Sequence, residues 1–228
     1  MRRAPLSDSV AFLRRNPFFT RLVREHGAPD LKRPSTSSAK LTTGSLRTGG
    51  GDYFKALVRS IIYQQVSGKA AASILVRFIA LFPGKIFPTP DDVCQTPVRK
   101  LRSAGLSAQK ASYIKDLAEK FLDGTIEHRA LHRMETNDII EHLTQVRGVG
   151  IWTAHMFLIF ALNRPDVLPV GDLGIRKGFQ IVYGLRTLPD AEKMEKLAKP
   201  WRAHASAASW YLWRAADGAK DKRKGRGK

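Results

Sequence analysis

Apolar positions along the chain recur at helical spacing almost from end to end. After Asp52, a candidate N-cap, Phe54, Leu57, Val58, Ile61, Ile62 and Gln65 fall on one stripe, the i, i+3, i+4, i+7, i+8 pattern of an amphipathic helix. Gly68 interrupts it. A second helix follows, with Ala71, Ile74, Leu75, Phe78 and Ile79 inward. Thr89-Pro90-Asp91-Asp92 and Thr96-Pro97 each place a hydroxyl before a proline, which predicts two short helices with proline at the first helical position. Ala111, Ile114, Leu117, Ala118 and Phe121 mark another helix between two glycine stops, Gly105 and Gly124. Ile139, Ile140 and Leu143 mark the next, and a Gly148-Val149-Gly150 link leads into an apolar helix from Trp152 to Leu162. Further helical patterns follow Asp172, Asp190 and Pro200, and two short ones precede them all, near Val10 to Arg15 and Phe18 to His26. No alternating run competes. The fold class expected is all-α.

Composition narrows the partner. The 39 Lys+Arg against 20 Asp+Glu leave a net charge of +19, while 43% hydrophobic residues suffice for a core. A folded chain this basic associates with a polyanion, either nucleic acid or an anionic membrane surface. The single Cys94 excludes an internal disulfide framework, a four-cysteine zinc site and a cysteine-ligated iron–sulfur cluster, and points to a reducing, intracellular compartment. No run of about 18 apolar residues can span a bilayer. The start Met1-Arg2-Arg3-Ala4-Pro5 lacks a secretory apolar stretch. His128, His132 and His142 are spaced too loosely for a metal motif, and His155 reads as a packed or groove-facing residue, so no zinc is expected.

The stretch from Leu143 to Ala154 carries the most chemistry. It reads as helix, small-residue hairpin and second helix, so outward amides and a helix N-terminus meet where Gly148 and Gly150 have no Cβ to obstruct a phosphate. Such a hairpin binds a DNA backbone without reading sequence. Taken alone, it is equally a turn joining two core helices. Asp172, ahead of an apolar helix, is by itself an N-cap first and a catalyst second.

The continuation is specific. Hairpin, helix and then the Pro/Gly-rich loop Leu168-Pro169-Val170-Gly171-Asp172 resemble the signature of the helix-hairpin-helix GPD superfamily of DNA glycosylases, and within it the compact alkylbase glycosylases of the DNA-3-methyladenine glycosylase II type. Ile61 to Ala71, Gly105-Leu106-Ser107 through Lys110-Ala111, and Pro200-Trp201-Arg202 with Ala208 to Trp213 agree. The resemblance runs from about Phe54 to Trp213.

What this resemblance implies is a two-subdomain helical fold with a cleft between the subdomains. Residues 53–162 form a barrel containing the helix-hairpin-helix at about 139–162. Residues 163–216 form the C-terminal subdomain, packed with the N-terminal helices of 1–51; the Ser/Thr/Gly-rich composition from Ala28 to Gly51, outside the resemblance, predicts a mobile loop. The Lys/Arg/Gly-rich end, residues 217–228, is expected from its composition to be a disordered basic tail. The implied activity is monofunctional excision of alkylated purines, 3-methyladenine and 7-methylguanine with ethenoadenine as a further candidate, leaving an abasic site. Asp172 matches the catalytic aspartate. Trp152 stands where bifunctional members carry a Schiff-base lysine, so no strand cleavage is expected. Trp152 and Trp210, with Tyr63, Met156 and Tyr211 as weaker candidates, match the base pocket, where an aromatic face attracts a cationic base. Gln65 and Ser67 match the position of the residue that fills the gap left by the flipped nucleotide; some relatives have histidine at Ser67. Gly171 replaces a second acid found in many relatives. Beside the hairpin glycines Gly148 and Gly150, the cations near the hairpin and after Asp172, namely Arg147, Arg176 and Lys177, are candidates for positioning the DNA backbone. The carbonyls of Thr144, Val146 and Val149 would hold a structural Na+ or K+, and the chemistry requires no other cofactor.

The expected partner is double-stranded DNA with alkylated bases, bound by a monomer away from membranes, in the nucleus of a eukaryote or the cytoplasm and nucleoid of a bacterium. Three rivals remain: a non-catalytic or weakly active damage-probing DNA-binding protein of the same fold, a bifunctional oxidised-base glycosylase, and an amphipathic membrane-surface protein.

Overall fold

The structure is a computed structural model that describes residues 5–31 and 50–225, with side chains at 5–31 and 53–219. Its described residues are helical and contain no strand. In chain order the helices are α1 (Leu6–Arg15), α2 (Thr20–His26), α3 (Gly50–Tyr63), α4 (Gly68–Ala80), α5 (Pro90–Gln95), α6 (Val98–Ser103), α7 (Ala108–Leu122), α8 (Thr136–Thr144), α9 (Ile151–Phe160), α10 (Leu173–Val182), α11 (Ala191–Ala198), a 3-10 turn (Lys199–His204) and α12 (Ala205–Gly225). The chain divides into two compact units, residues 43–157 and residues 1–42 with 158–228.

Most helix starts follow the local chemistry. Thr89 and Asp92 form a reciprocal capping box with Pro90 at the first position of α5, and Ser107 caps α7 through the Lys110 amide at 3.1 Å. The inner stripe of α7, Ala111, Ile114, Leu117, Ala118 and Phe121, is buried. α9 is strongly apolar, and Met156 to Phe160 are buried.

Four local expectations are corrected. α3 begins at Gly50, which places Asp52 inside the first turn instead of at the cap. Thr96 does not cap α6: its hydroxyl donates to Asp92 O at 2.8 Å, closing α5, and Pro97 takes the N-cap place. The segment after Pro200 first makes a 3-10 turn in which Trp201 leaves helical geometry. Finally, α12 continues to Gly225, through residues expected in a basic tail, because Ala215, Ala216, Ala219 and the following lysines and arginines are good helix formers on a helix already nucleated by packing. The expected mobile loop, from Ala28 to Gly51, lies at 32–49 outside the described residues.

In the unit of residues 1–42 and 158–228, α12 is the central helix. Ala205, Ala208, Trp210, Tyr211, Leu212 and Trp213 are all buried, and α10 lies close along it. A Cβ on Gly178 would stand 2.4 Å from the Leu212 carbonyl oxygen, so only glycine permits that approach. The N-terminal helices join this core: the Tyr211 hydroxyl donates to Gly27 O at 2.6 Å, and Ser9 shares a hydrogen bond with His204 Nδ1 at 2.9 Å. Burial pushes the Tyr211 phenol up to about 12.

Candidate active site

The loop between α9 and α10 is stapled to α12 by two buried serines. The Ser206 hydroxyl donates to Arg164 O at 2.5 Å and accepts from the Val167 amide at 3.1 Å; the Ser206 amide donates to Pro165 O at 2.9 Å. Ser209 donates to Val167 O at 3.5 Å. These bonds fix the chain entering Leu168-Pro169-Val170-Gly171, and the Asp172 amide closes its end on Pro169 O at 2.9 Å.

Asp172 is the N-cap of α10 and is only 7% exposed. Its Oδ1 accepts from the Ile175 amide at 2.9 Å and from Trp213 Nε1 at 2.9 Å. Trp213 has no exposed surface and stacks on Phe160, centroids 5.9 Å apart. The cap reading of Asp172 therefore holds, and the same carboxylate is oriented by two donors instead of rotating freely. Gly174 makes room for this, since a Cβ there would stand 2.9 Å from Trp213 Cδ1 and 3.0 Å from Asp172 Oδ1.

The other candidates of this unit are placed as follows. Trp210 is 4% exposed, with the Arg214 guanidinium 4.6 Å from its ring centroid and His26 edge-on at 6.2 Å. Its ring already carries a cation. Tyr211 is fully buried, a core residue here. Arg176 donates from Nε to Pro189 O at 3.0 Å, and Lys177 is half-buried in the next position of α10.

The unit of residues 43–157 brings a second group together around α7. The hairpin turns at Gly148, whose φ of 81° is a left-handed conformation that favours glycine. The Tyr113 ring covers it so closely that a Cβ would lie 2.0 Å from Cδ2. Asp116, one turn along α7, accepts from the Arg147 amide at 2.8 Å, from Arg147 Nε at 2.9 Å and from Lys120 Nζ at 2.9 Å. Burial pushes the Asp116 carboxyl up, but the Lys120 and Arg147 hydrogen bonds outweigh it and hold the group below its ordinary range. Arg147 keeps a side chain 62% exposed.

Gln64 ties the hairpin to the end of α3, its Nε2 donating to Gly148 O at 2.8 Å and to Thr153 Oγ1 at 3.4 Å. Gln65 follows at φ 54° and is exposed. Ser67 is also exposed, but its hydroxyl accepts from the Ala70 amide at 3.3 Å as the N-cap of α4. Of the two gap-filling candidates, Gln65 is the one whose side chain has no such capping duty. Trp152, in the first turn of α9, and Tyr63, at the end of α3, are half-buried; the Arg59 guanidinium lies 5.8 Å from the Tyr63 centroid. Met156 is fully buried and packs as core. At the hairpin, Val146 O accepts from the Val149 amide at 3.0 Å, while Thr144 ends α8 and Gly150 is exposed.

The pattern of the HhH-GPD superfamily base excision DNA repair proteins matches residues 58–203. The chain belongs to that family. A DNA-3-methyladenine glycosylase 1 of Schizosaccharomyces pombe is 36% identical over 162 residues, covering 71% of this chain and 71% of that protein. A solved 3-methyladenine DNA glycosylase from the same yeast, in complex with abasic DNA, is 33% identical with a TM-score of 0.71, over 91% of this chain and 95% of that one. A DNA-3-methyladenine glycosidase structure from Bacillus halodurans is 30% identical with a TM-score of 0.74, over 93% and 89% of the two chains.

Within this HhH-GPD chain, sequence reasoning overlooked Trp213, Gly174, Gln64, Tyr113 and Asp116, although each holds a candidate residue in place. Some of them left a trace. Gly174 and Gly178 stand at i, i+4, the spacing of one helix face pressed against a neighbour, and Trp213 is one turn beyond Trp210. Asp116 and Tyr113 left none, since the hairpin residues they hold, Arg147 and Gly148, are 31 or more residues away.

Proposed function

We propose that the chain is a monofunctional DNA glycosylase that hydrolyses the N-glycosidic bond of alkylated purines, 3-methyladenine and 7-methylguanine first among them, in double-stranded DNA. The observation that carries this reading is Asp172, a nearly buried carboxylate oriented by a helix amide and an indole. A purine alkylated at N3 or N7 is already cationic and leaves without a strong general acid. What the site must supply is negative charge as positive charge develops on the sugar, or an acceptor that orients water. A carboxylate held by fixed donors does this with little reorganisation.

Trp152 has no amine, so no Schiff base forms and the product is an intact strand with an abasic site. Its indole is the first candidate to face a cationic base, an attraction of about 0.5–2 kcal/mol. Trp210 contributes less, because Arg214 already lies over its ring. Gln65 is the wedge that fills the space of the extruded nucleotide. At the hairpin, the amides of Arg147 and Val149 are engaged inside the protein, which supports the Gly148 and Gly150 amides as the phosphate donors, with the exposed Arg147 guanidinium, Arg176 and Lys177 adding charge. The Thr144, Val146 and Val149 carbonyls suit a hard monovalent cation, since oxygen donors are what such ions take. Val146 O, with one hydrogen bond accepted, retains a second lone pair. That ion would steady the hairpin.

The test is base release by the full chain acting as a monomer. Duplexes carrying 7-methylguanine or 3-methyladenine are incubated with excess protein, and strand breaks are compared with and without alkali. Alkali-dependent breaks at the lesion are expected. Breaks without alkali, or none in either sample, would contradict the proposal.

A further inference from the structure

Lys110 lies in the first turn of α7, and its ammonium reaches back to the far end of α3. Nζ donates to Ile62 O at 2.7 Å and to Gln64 O at 2.6 Å. These carbonyls belong to the last turn of α3 and its exit, where a helix has no amides left to offer. Between Gln64 O and the cap of α4 stands Gln65, at φ 54°. A glutamine is costly to hold in that left-handed conformation unless its surroundings enforce it. Lys110 supplies the enforcement. Burial lowers the pKa of its ammonium, so the group sits where the two carbonyls have replaced part of its water.

The same flank of α7 continues through Tyr113 and Asp116. Lys110 grips the turn before Gln65, Tyr113 covers Gly148, and Asp116 holds the Arg147 amide. Gln64 closes the circuit through Gly148 O. One helix thus sets the spacing between the turn that carries Gln65 and the hairpin.

We infer that Lys110 is a positioning residue for base flipping: it holds the Gln64–Gln65 turn in the bend that presents Gln65, at a distance from the hairpin fixed by α7. This rests on the wedge role proposed for Gln65. Lys110 touches no substrate and acts through the turn. A flexible turn would let the protein bind duplex DNA through the hairpin and still fail to keep a nucleotide extruded.

The test uses the full chain and Lys110→Met, Lys110→Gln, Lys110→Arg, Gln65→Ala and the Lys110→Met/Gln65→Ala double variant. Two readouts are taken: single-turnover excision of 7-methylguanine, and fluorescence of a 2-aminopurine placed opposite a tetrahydrofuran abasic analogue, which reports filling of the gap. Loss of two charge-assisted bonds predicts roughly a tenfold to hundredfold slower excision in Lys110→Met. The fluorescence response should be lost in parallel, and affinity for undamaged duplex should stay within about twofold, because the phosphate contacts are untouched. Lys110→Arg should recover most of the rate. The double variant should be no slower than the slower single variant, since both changes remove one event. Wild-type rate and fluorescence in Lys110→Met, or fully multiplicative losses in the double variant, would overturn the inference. Should the Met variant not fold, Lys110→Gln is read by the same criteria. If Gln65→Ala is defective and the lysine variants are not, only the Lys110 inference falls; if Gln65→Ala is itself unchanged, the wedge reading falls and the inference with it.

Discussion

Asp172 Oδ1 lies between two donors, the Ile175 amide and the Trp213 indole, each at 2.9 Å. The helix bond alone leaves the carboxylate free to swing about its χ angles; the indole fixes its plane. Trp213→Phe keeps the buried ring and removes that N–H. A hydrogen bond to a charged acceptor contributes about 1.5–3 kcal/mol, which corresponds to roughly tenfold to hundredfold in rate. Single-turnover excision by Trp213→Phe should slow by that range while affinity for abasic-site DNA stays near wild type. An unchanged rate would show that α10 alone orients Asp172. The same pair of residues shows where reading the chain reached its limit. The cap role of Asp172 is legible because its signal is local, a carboxylate before an apolar helix, and the Pro/Gly loop before it is what nominates the same residue as the catalytic candidate. Trp213 stands in the sequence only as part of an aromatic stretch, because its bond spans 41 residues and depends on Gly174 leaving space.

Helix α7 is an amphipathic helix whose inner stripe was readable from spacing and whose polar flank was not. Its apolar residues repeat at a helical period, whereas Lys110, Tyr113 and Asp116 look like solvated surface until the hairpin and the end of α3 are laid against them. Asp116 gives this flank a measurable signature. Its folded pKa lies below the ordinary value, so its contribution to stability is fully present above the unfolded carboxylate value of about 4 and is lost as pH falls through the folded value. Asp116→Asn should cost about 1–3 kcal/mol at pH 7, the penalty for breaking charged hydrogen bonds at a buried site. Thermal unfolding of the two proteins should then converge as pH drops below about 4. Parallel curves across that range would contradict the role given to Asp116. The helix ends were less readable than the helices: Thr96 resembled a start and is a stop, because a hydroxyl before proline serves either neighbour equally well.

A net charge of +19 brings the whole molecule to a polyanion without saying what happens there. Among the described residues no helix is long and apolar enough to cross a membrane, and the family is one of DNA repair. If about five phosphates are neutralised, the logarithm of the affinity for duplex DNA should fall against the logarithm of salt concentration with a slope near −4.5; a flat dependence would remove the hairpin and its cations from the binding account. Charge explains attachment, and a single carboxylate is asked to explain the chemistry. The most direct test compares the full chain with Asp172→Asn on one duplex containing 7-methylguanine, measuring released base under single-turnover conditions and affinity for the abasic product side by side. The amide keeps an oxygen that can cap α10 and accept from Trp213, so binding should persist while release falls to the level of the protein-free control. Release by Asp172→Asn at the wild-type rate would contradict the assignment of catalysis to Asp172.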